Sequence, residues 1–151
     1  MTRSATEFVG EVTFRTLSRH PVAMDMFDRS VEWVPDHIAL ADQADAFVVA
    51  PCTANVVAKL AHGLADDLLT CTALACGAPL VVAPAMNEKM WDHPATRENL
   101  RLLKSRGARI VDVGDGDLAC GTTGRGRLAD LDRIMKAVDK CLGERRKEKA
   151  R

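Results

Sequence analysis

Two short runs constrain this chain more than any other feature. Ala46-Phe47-Val48-Val49-Ala50 and Pro79-Leu80-Val81-Val82-Ala83 are almost wholly apolar, rich in β-branched residues, and each is followed at once by proline. An alternating run would suit a strand with one wet face, whereas a continuous apolar run of this length suits a strand buried on both faces. Such strands belong to parallel sheets covered by helices, and longer helical patterns do separate the runs here. The expected fold is α/β: a Rossmann-like doubly wound parallel sheet flanked by helices, in a single domain. Arg109-Ile110-Val111-Asp112-Val113 is a weaker third strand, after the helical stretch from Pro94 to Arg106 and the stop at Gly107. Helices are expected at about 5–19, 36–43, 54–62, 66–76, 94–106 and 130–146.

At 151 residues the chain suffices for one hydrophobic core and is short for two. Residues 1–143 are read as the domain and 144–151 as a charged, solvated C-terminal tail. Basic and acidic residues balance at 21 each, so overall charge offers no reason to expect nucleic acid or an anionic membrane as partner. No apolar run reaches the length of a membrane span. Five cysteines (Cys52, Cys71, Cys76, Cys120, Cys141) without a secretory signal suggest reduced thiols in a cytoplasmic protein. No metal site is expected: a helix would turn Cys71 and Cys76 to different faces, and no H-E-x-x-H or C-x-x-C companion exists.

Ligands of open α/β sheets gather at the C-terminal ends of the strands, so the two proline-ended runs point to one crevice. The first loop reads Ala50-Pro51-Cys52-Thr53-Ala54-Asn55, in which Thr53 can cap the next helix and leave its first-turn amides facing the crevice. On pattern alone such a loop is more often a plain helix start than a cofactor site. The second loop reads Pro84-Ala85-Met86-Asn87-Glu88-Lys89-Met90-Trp91, a P-x-M-N-x-x-M-W octapeptide. Taken by themselves, Met86, Met90 and Trp91 could form an apolar lid and Asn87 a turn.

The octapeptide resembles the defining motif of the homo-oligomeric flavin-containing cysteine decarboxylases. These act on phosphopantothenoylcysteine in coenzyme A synthesis or on peptidyl cysteine in lantibiotic maturation. The resemblance extends to Asp36-His37-Ile38-Ala39-Leu40 against an H-I-x-L segment and to Pro51–Asn55 against a P-x-x-A-N loop, with Val56 where threonine is usual. Ala119-Cys120-Gly121 matches the cysteine-bearing flap of the coenzyme A branch, and residues 1–9 match the M-T-x-x-A-x-x-F-V segment after the family's second strand.

This resemblance implies a set of roles. His37 would be the catalytic histidine, Asn87 would hold the substrate carboxylate through its amide, and Cys120 would return a proton to the product. FMN would be the cofactor, contacted by Thr53, Ala54, Asn55 and Val56 with Phe8 and Ala85 nearby. The implied reaction oxidises the thiol to a thioaldehyde, loses CO2 to an enethiolate, and re-reduces it to phosphopantetheine. Trimers, or dodecamers of trimers, and a fused or separate phosphopantothenoylcysteine synthetase are the implied partners. Cys120 lies in the glycine-rich stretch from Gly114 to Arg127, expected as a loop that closes over substrate. Arg125 and Arg127 in it could meet a substrate phosphate or be solvated charges.

The opening Met1-Thr2-Arg3-Ser4 leads straight into a helical pattern, whereas the family fold implies a strand and phosphate loop before it. A start roughly thirty residues upstream is therefore expected. A chain without that loop would hold FMN weakly or not at all. Two rival readings are a non-catalytic or regulatory flavoprotein of the same fold and a peptidyl-cysteine decarboxylase.

Overall fold

The computed structural model describes residues 1–26, 36–117, 121 and 123–149. A 3-10 turn, Arg3–Glu7, precedes α1 (Glu11–Ser18), α2 (Asp36–Gln43), β1 (Phe47–Cys52), α3 (Ala54–His62), α4 (Leu68–Ala75) and β2 (Leu80–Pro84). Then come α5 (Glu88–Asp92), α6 (Pro94–Ser105), β3 (Arg109–Ile110), the pair β4 (Gly114–Asp117) and β5 (Thr123–Arg127), and α7 (Leu131–Lys149).

The first three strands form a parallel sheet in the order β1-β2-β3. Phe47, Val48 and Val49 pair with Leu80, Val81 and Val82, and the register shifts before Cys52 meets Pro84. Side chains of β2 alternate between two cores, as a strand covered on both faces must. Val82 joins Val49, Val57, Ala61, Trp91, Leu100 and Leu103, which places α3, α5 and α6 on one face. Val81 and Ala83 join Val111, Ala129, Ile134 and Cys141, which places α7 on the other. The expected α/β architecture is thus present, with β2 as its buried centre.

Four local expectations change. The single helix at 5–19 is two elements, because extended Gly10 at φ −66°, ψ 146° interrupts the helical path after the 3-10 turn and starts α1 afresh. The third strand pairs only through Arg109 and Ile110, although the Val111 amide still donates to Val82 O at 2.8 Å. The two flanks of the glycine-rich stretch, β4 and β5, pair as antiparallel strands, while the expected loop around Cys120 lies mostly outside the described residues. The final helix runs on to Lys149, and Glu144 pairs with Arg109 at 2.9 Å.

Val12, Phe14 and Leu17 of α1 are exposed, as is Val48 at 40 % on β1, the edge strand of the described sheet. Among the described residues, no helix is long and apolar enough to cross a membrane, and no three His, Cys, Asp or Glu stand grouped as a metal site.

One polar device fixes α4. Asp67 caps it by accepting from the Thr70 amide at 2.9 Å, while the Thr70 hydroxyl accepts from the Asp67 amide at 3.2 Å, a reciprocal box. Lys59 of α3 reaches Asp67 at 3.1 Å and Asp66 at 2.7 Å, tying the two helices together. Burial pushes the Asp67 carboxyl up, but Thr70 and Lys59 outweigh it and leave the group below its ordinary value. A depressed folded-state value stabilises the fold above the ordinary aspartate range, and that contribution is lost as the pH falls through it. Asp67→Ala should therefore cost about 1–2 kcal/mol near neutral pH in urea titrations. The gap to the parent should shrink below about pH 3, and a pH-independent gap would contradict this assignment.

Candidate active site

The site is built where β1 and β2 end. A cis Ala50–Pro51 peptide leads to Cys52, whose carbonyl accepts from the Ala85 amide at 3.0 Å, so the two strand-end loops are joined by backbone. Thr53 then caps α3: its hydroxyl accepts from the Val56 amide at 3.3 Å and its carbonyl from the Val57 amide at 2.9 Å. The helix itself offers no acceptor to the amides of Ala54 and Asn55, which lie in its first turn. Val56 differs from its neighbours, since its amide is already capped and its side chain is buried in the core.

The second loop carries Ala85, Met86 and Asn87. Asn87 caps α5, with its Oδ1 accepting from the Lys89 amide at 2.9 Å. That bond fixes the amide plane and turns Nδ2, the donor, to the opposite side. Trp91 is no lid: at 2 % exposure it is a core residue, with the Arg97 guanidinium 4.9 Å from its ring centre. Met86 packs against the same core, and Met90 is exposed.

A third component of the site is the glycine-rich stretch, through a strand not expected from the sequence. The Met86 amide donates to Gly126 O at 2.9 Å, so β5 lies directly against the Asn87 loop. A signal is present in Gly-Asp-Gly-Asp and Gly-Arg-Gly-Arg, whose period of two is that of strands. Arg125 of this hairpin pairs with Asp112 at 3.1 Å. The structure therefore brings together Thr53, Ala54, Asn55, Val56, Ala85 and Asn87, with Gly126 beside them.

The other expected residues stand apart from this bonded cluster. His37 sits in the first turn of α2, which packs on α4; its Nδ1 is solvent-excluded and has no partner among the described residues. Phe8 closes the 3-10 turn and is 87 % exposed. Cys120 lies outside the described residues. The strand-end groups fit a flavin: the first-turn amides of α3, which the helix leaves without an acceptor, are what the polar edge of a flat heterocycle would satisfy.

A family model described as "Flavoprotein" matches residues 1–143. The chain belongs to the flavoprotein family. Among this family's members, the "Coenzyme A biosynthesis bifunctional protein CoaBC" of Bacillus subtilis is 48 % identical over 144 residues, covering 95 % of the chain and 36 % of that protein. The chain thus spans about a third of that relative. A "Probable phosphopantothenoylcysteine decarboxylase" of Streptococcus mutans is 43 % identical, covering 94 % of the chain and 80 % of the relative. Among solved flavoprotein structures, the "FMN-dependent Cysteine Decarboxylases SpaF" superposes with a TM-score of 0.82 at 34 % identity, over 96 % of the chain and 77 % of its own.

Cys52, beside the Thr53 loop, is not a candidate nucleophile. Burial pushes its thiol up to about 12 and leaves it fully enclosed. Only about one molecule in ten thousand would then carry the thiolate near pH 8. In the native protein Cys52 should resist iodoacetamide, becoming alkylated only with denaturant, as peptide mass spectrometry would detect. Rapid native labelling at Cys52 would contradict the geometry.

Proposed function

We propose that this chain carries the FMN-dependent decarboxylation of phosphopantothenoylcysteine to phosphopantetheine in coenzyme A synthesis. The observation that carries the reading is Asn87. It is held at a strand end with its oxygen accepting from the Lys89 amide, and its side chain carries N–H donors of the kind that suit a carboxylate. A neutral amide can donate to a carboxylate where an acidic side chain would repel it.

A cysteine carboxylate cannot lose CO2 without somewhere for the bonding electrons to go. FMN, when bound, supplies the two-electron oxidation of the thiol that turns it into an acceptor, and returns those electrons to the product. Amides of Ala54 and Asn55, with Thr53 holding the helix start, would contact the flavin, with Val56, Ala85 and Phe8 adjoining. Asn87 orients the carboxylate so that its bond to carbon can break. His37 would serve as the acid–base residue, its imidazole offering one ring nitrogen as donor and the other as acceptor. Cys120 returns the proton to the product carbon.

The relatives at 48 % and 43 % identity, one a coenzyme A biosynthesis protein and one a probable phosphopantothenoylcysteine decarboxylase, together with Cys120, favour the small-molecule substrate over a peptide. A homotrimer or a dodecamer of trimers is supported by the exposed apolar residues Phe8, Val12, Phe14 and Leu17. A synthetase partner is supported by the bifunctional relative, and reduced thiol chemistry supports a cytoplasmic setting.

The FMN-loaded protein, given phosphopantothenoylcysteine, should release CO2 and form phosphopantetheine. Asn87→Asp should lower kcat/KM by about a hundredfold or more, the scale of one lost charge-assisted bond plus repulsion. Cys120→Ser should still release CO2 but accumulate the unsaturated enethiol. A flavin-bound, folded protein that releases no CO2 would rule out the enzyme reading in favour of a regulatory flavoprotein.

A further inference from the structure

Glycines at alternate positions of β5 face the Asn87 loop, and one of them lies at closer range than any side chain would allow. A Cβ at Gly126 would overlap the Met86 carbonyl oxygen and lie 3.4 Å from the Glu88 amide nitrogen. Gly126 also has φ +140°, a backbone state that L side chains rarely adopt. At Gly124, two residues along the same strand, a Cβ would sit 2.7 Å from Glu88 Oε2, the movable end of a flexible side chain. One position is thus closed by backbone and the other by a group that can swing away.

Gly126 consequently touches the Met86 peptide twice. Its carbonyl accepts from the Met86 amide at 2.9 Å, and its Cα hydrogen, standing where a Cβ would be, points at the Met86 carbonyl. Met86 is the residue immediately before Asn87, and the Met86 carbonyl belongs to the peptide that carries the Asn87 nitrogen. The Asn87 side chain is also anchored by its bond to the Lys89 amide. The amide plane is therefore positioned by α5 on one side and by the hairpin on the other.

From this contact we infer that Gly126 is the positioning residue for Asn87: the hairpin sets the grip on the substrate's carboxylate through a backbone contact that only glycine permits. The inference rests on the reading of Asn87 as the carboxylate ligand. Displacing the Met86 peptide by the width of a methyl group moves the amide donor away from its acceptor, and the charge-assisted bond weakens steeply with such misplacement.

The test compares two ligands on the flavin-loaded full chain. The oxygen analogue phosphopantothenoylserine carries the carboxylate but no oxidisable thiol, and phosphopantetheine carries the thiol but no carboxylate. Gly126→Ala should weaken the serine analogue about ten- to a hundredfold, the scale of a hydrogen bond to a charged group. Phosphopantetheine affinity should change by less than about threefold, and Gly124→Ala should leave both within that range. In an Asn87→Ala background, Gly126→Ala should add no further loss for the serine analogue.

Equal weakening of both ligands by Gly126→Ala, or of neither, would overturn the inference. If Gly126→Ala does not yield folded protein, amide hydrogen exchange in the unaltered chain examines the same contact. The serine analogue should slow exchange at Met86 about tenfold more than phosphopantetheine does, and equal protection would overturn the inference. A parent protein that does not favour the carboxylate ligand at all sinks the reading of Asn87 itself, which is a different result.

Discussion

Everything at the site depends on how the segment after β2 is held by backbone from two sides. The Ala85 amide is bonded to Cys52 O at 3.0 Å and the next amide, of Met86, to Gly126 O at 2.9 Å. Successive amides of an extended segment point in opposite directions, so one donates toward β1 and the other toward the hairpin. Neither bond needs a particular side chain on its donor, yet each fixes a residue beside Asn87. Because β2 packs between two cores, the segment cannot yield by moving its strand. Interiors packed at this density transmit displacement instead of absorbing it.

This rigidity suits a reaction with little covalent work for the protein to do. In the proposed reaction the hard step would belong to a flavin, and the chain would hold a carboxylate, a thiol and an acid–base group in fixed relation. Neutral donors are well matched to that holding role, since an asparagine amide and the first-turn amides of α3 attract anionic or polar groups without adding a titrating charge. Net charge is balanced at 21 basic and 21 acidic residues, so recognition must come from such local geometry. Cys52 follows the same pattern, a thiol next to the site that burial keeps neutral.

Much of the fold and of the site is legible in the amino-acid sequence, for identifiable reasons. The runs ending at Ala50 and Ala83 can be assigned because strands buried on both faces have no polar alternation to blur them. Thr53 is readable as a cap because its hydroxyl has a local partner, Val56, three residues on. The glycine hairpin is not legible: glycine has poor strand propensity, and a stretch of Gly, Asp and Arg signals a loop unless its period is weighed against its composition. Trp91 reads as a possible lid in the octapeptide, because nothing local announces short α5, whose last turn buries the indole. The role of Gly126 depends on residues about forty positions away in the chain, which no local pattern encodes.

The most direct measurement is a crystal structure of the flavin-loaded protein with phosphopantothenoylserine bound. The account predicts the ligand carboxylate about 2.7–3.2 Å from Asn87 Nδ2, the flavin ring against the first turn of α3, and the His37 imidazole lining the same crevice. A carboxylate bound away from Asn87, or a flavin seated at the opposite ends of the strands, would contradict it.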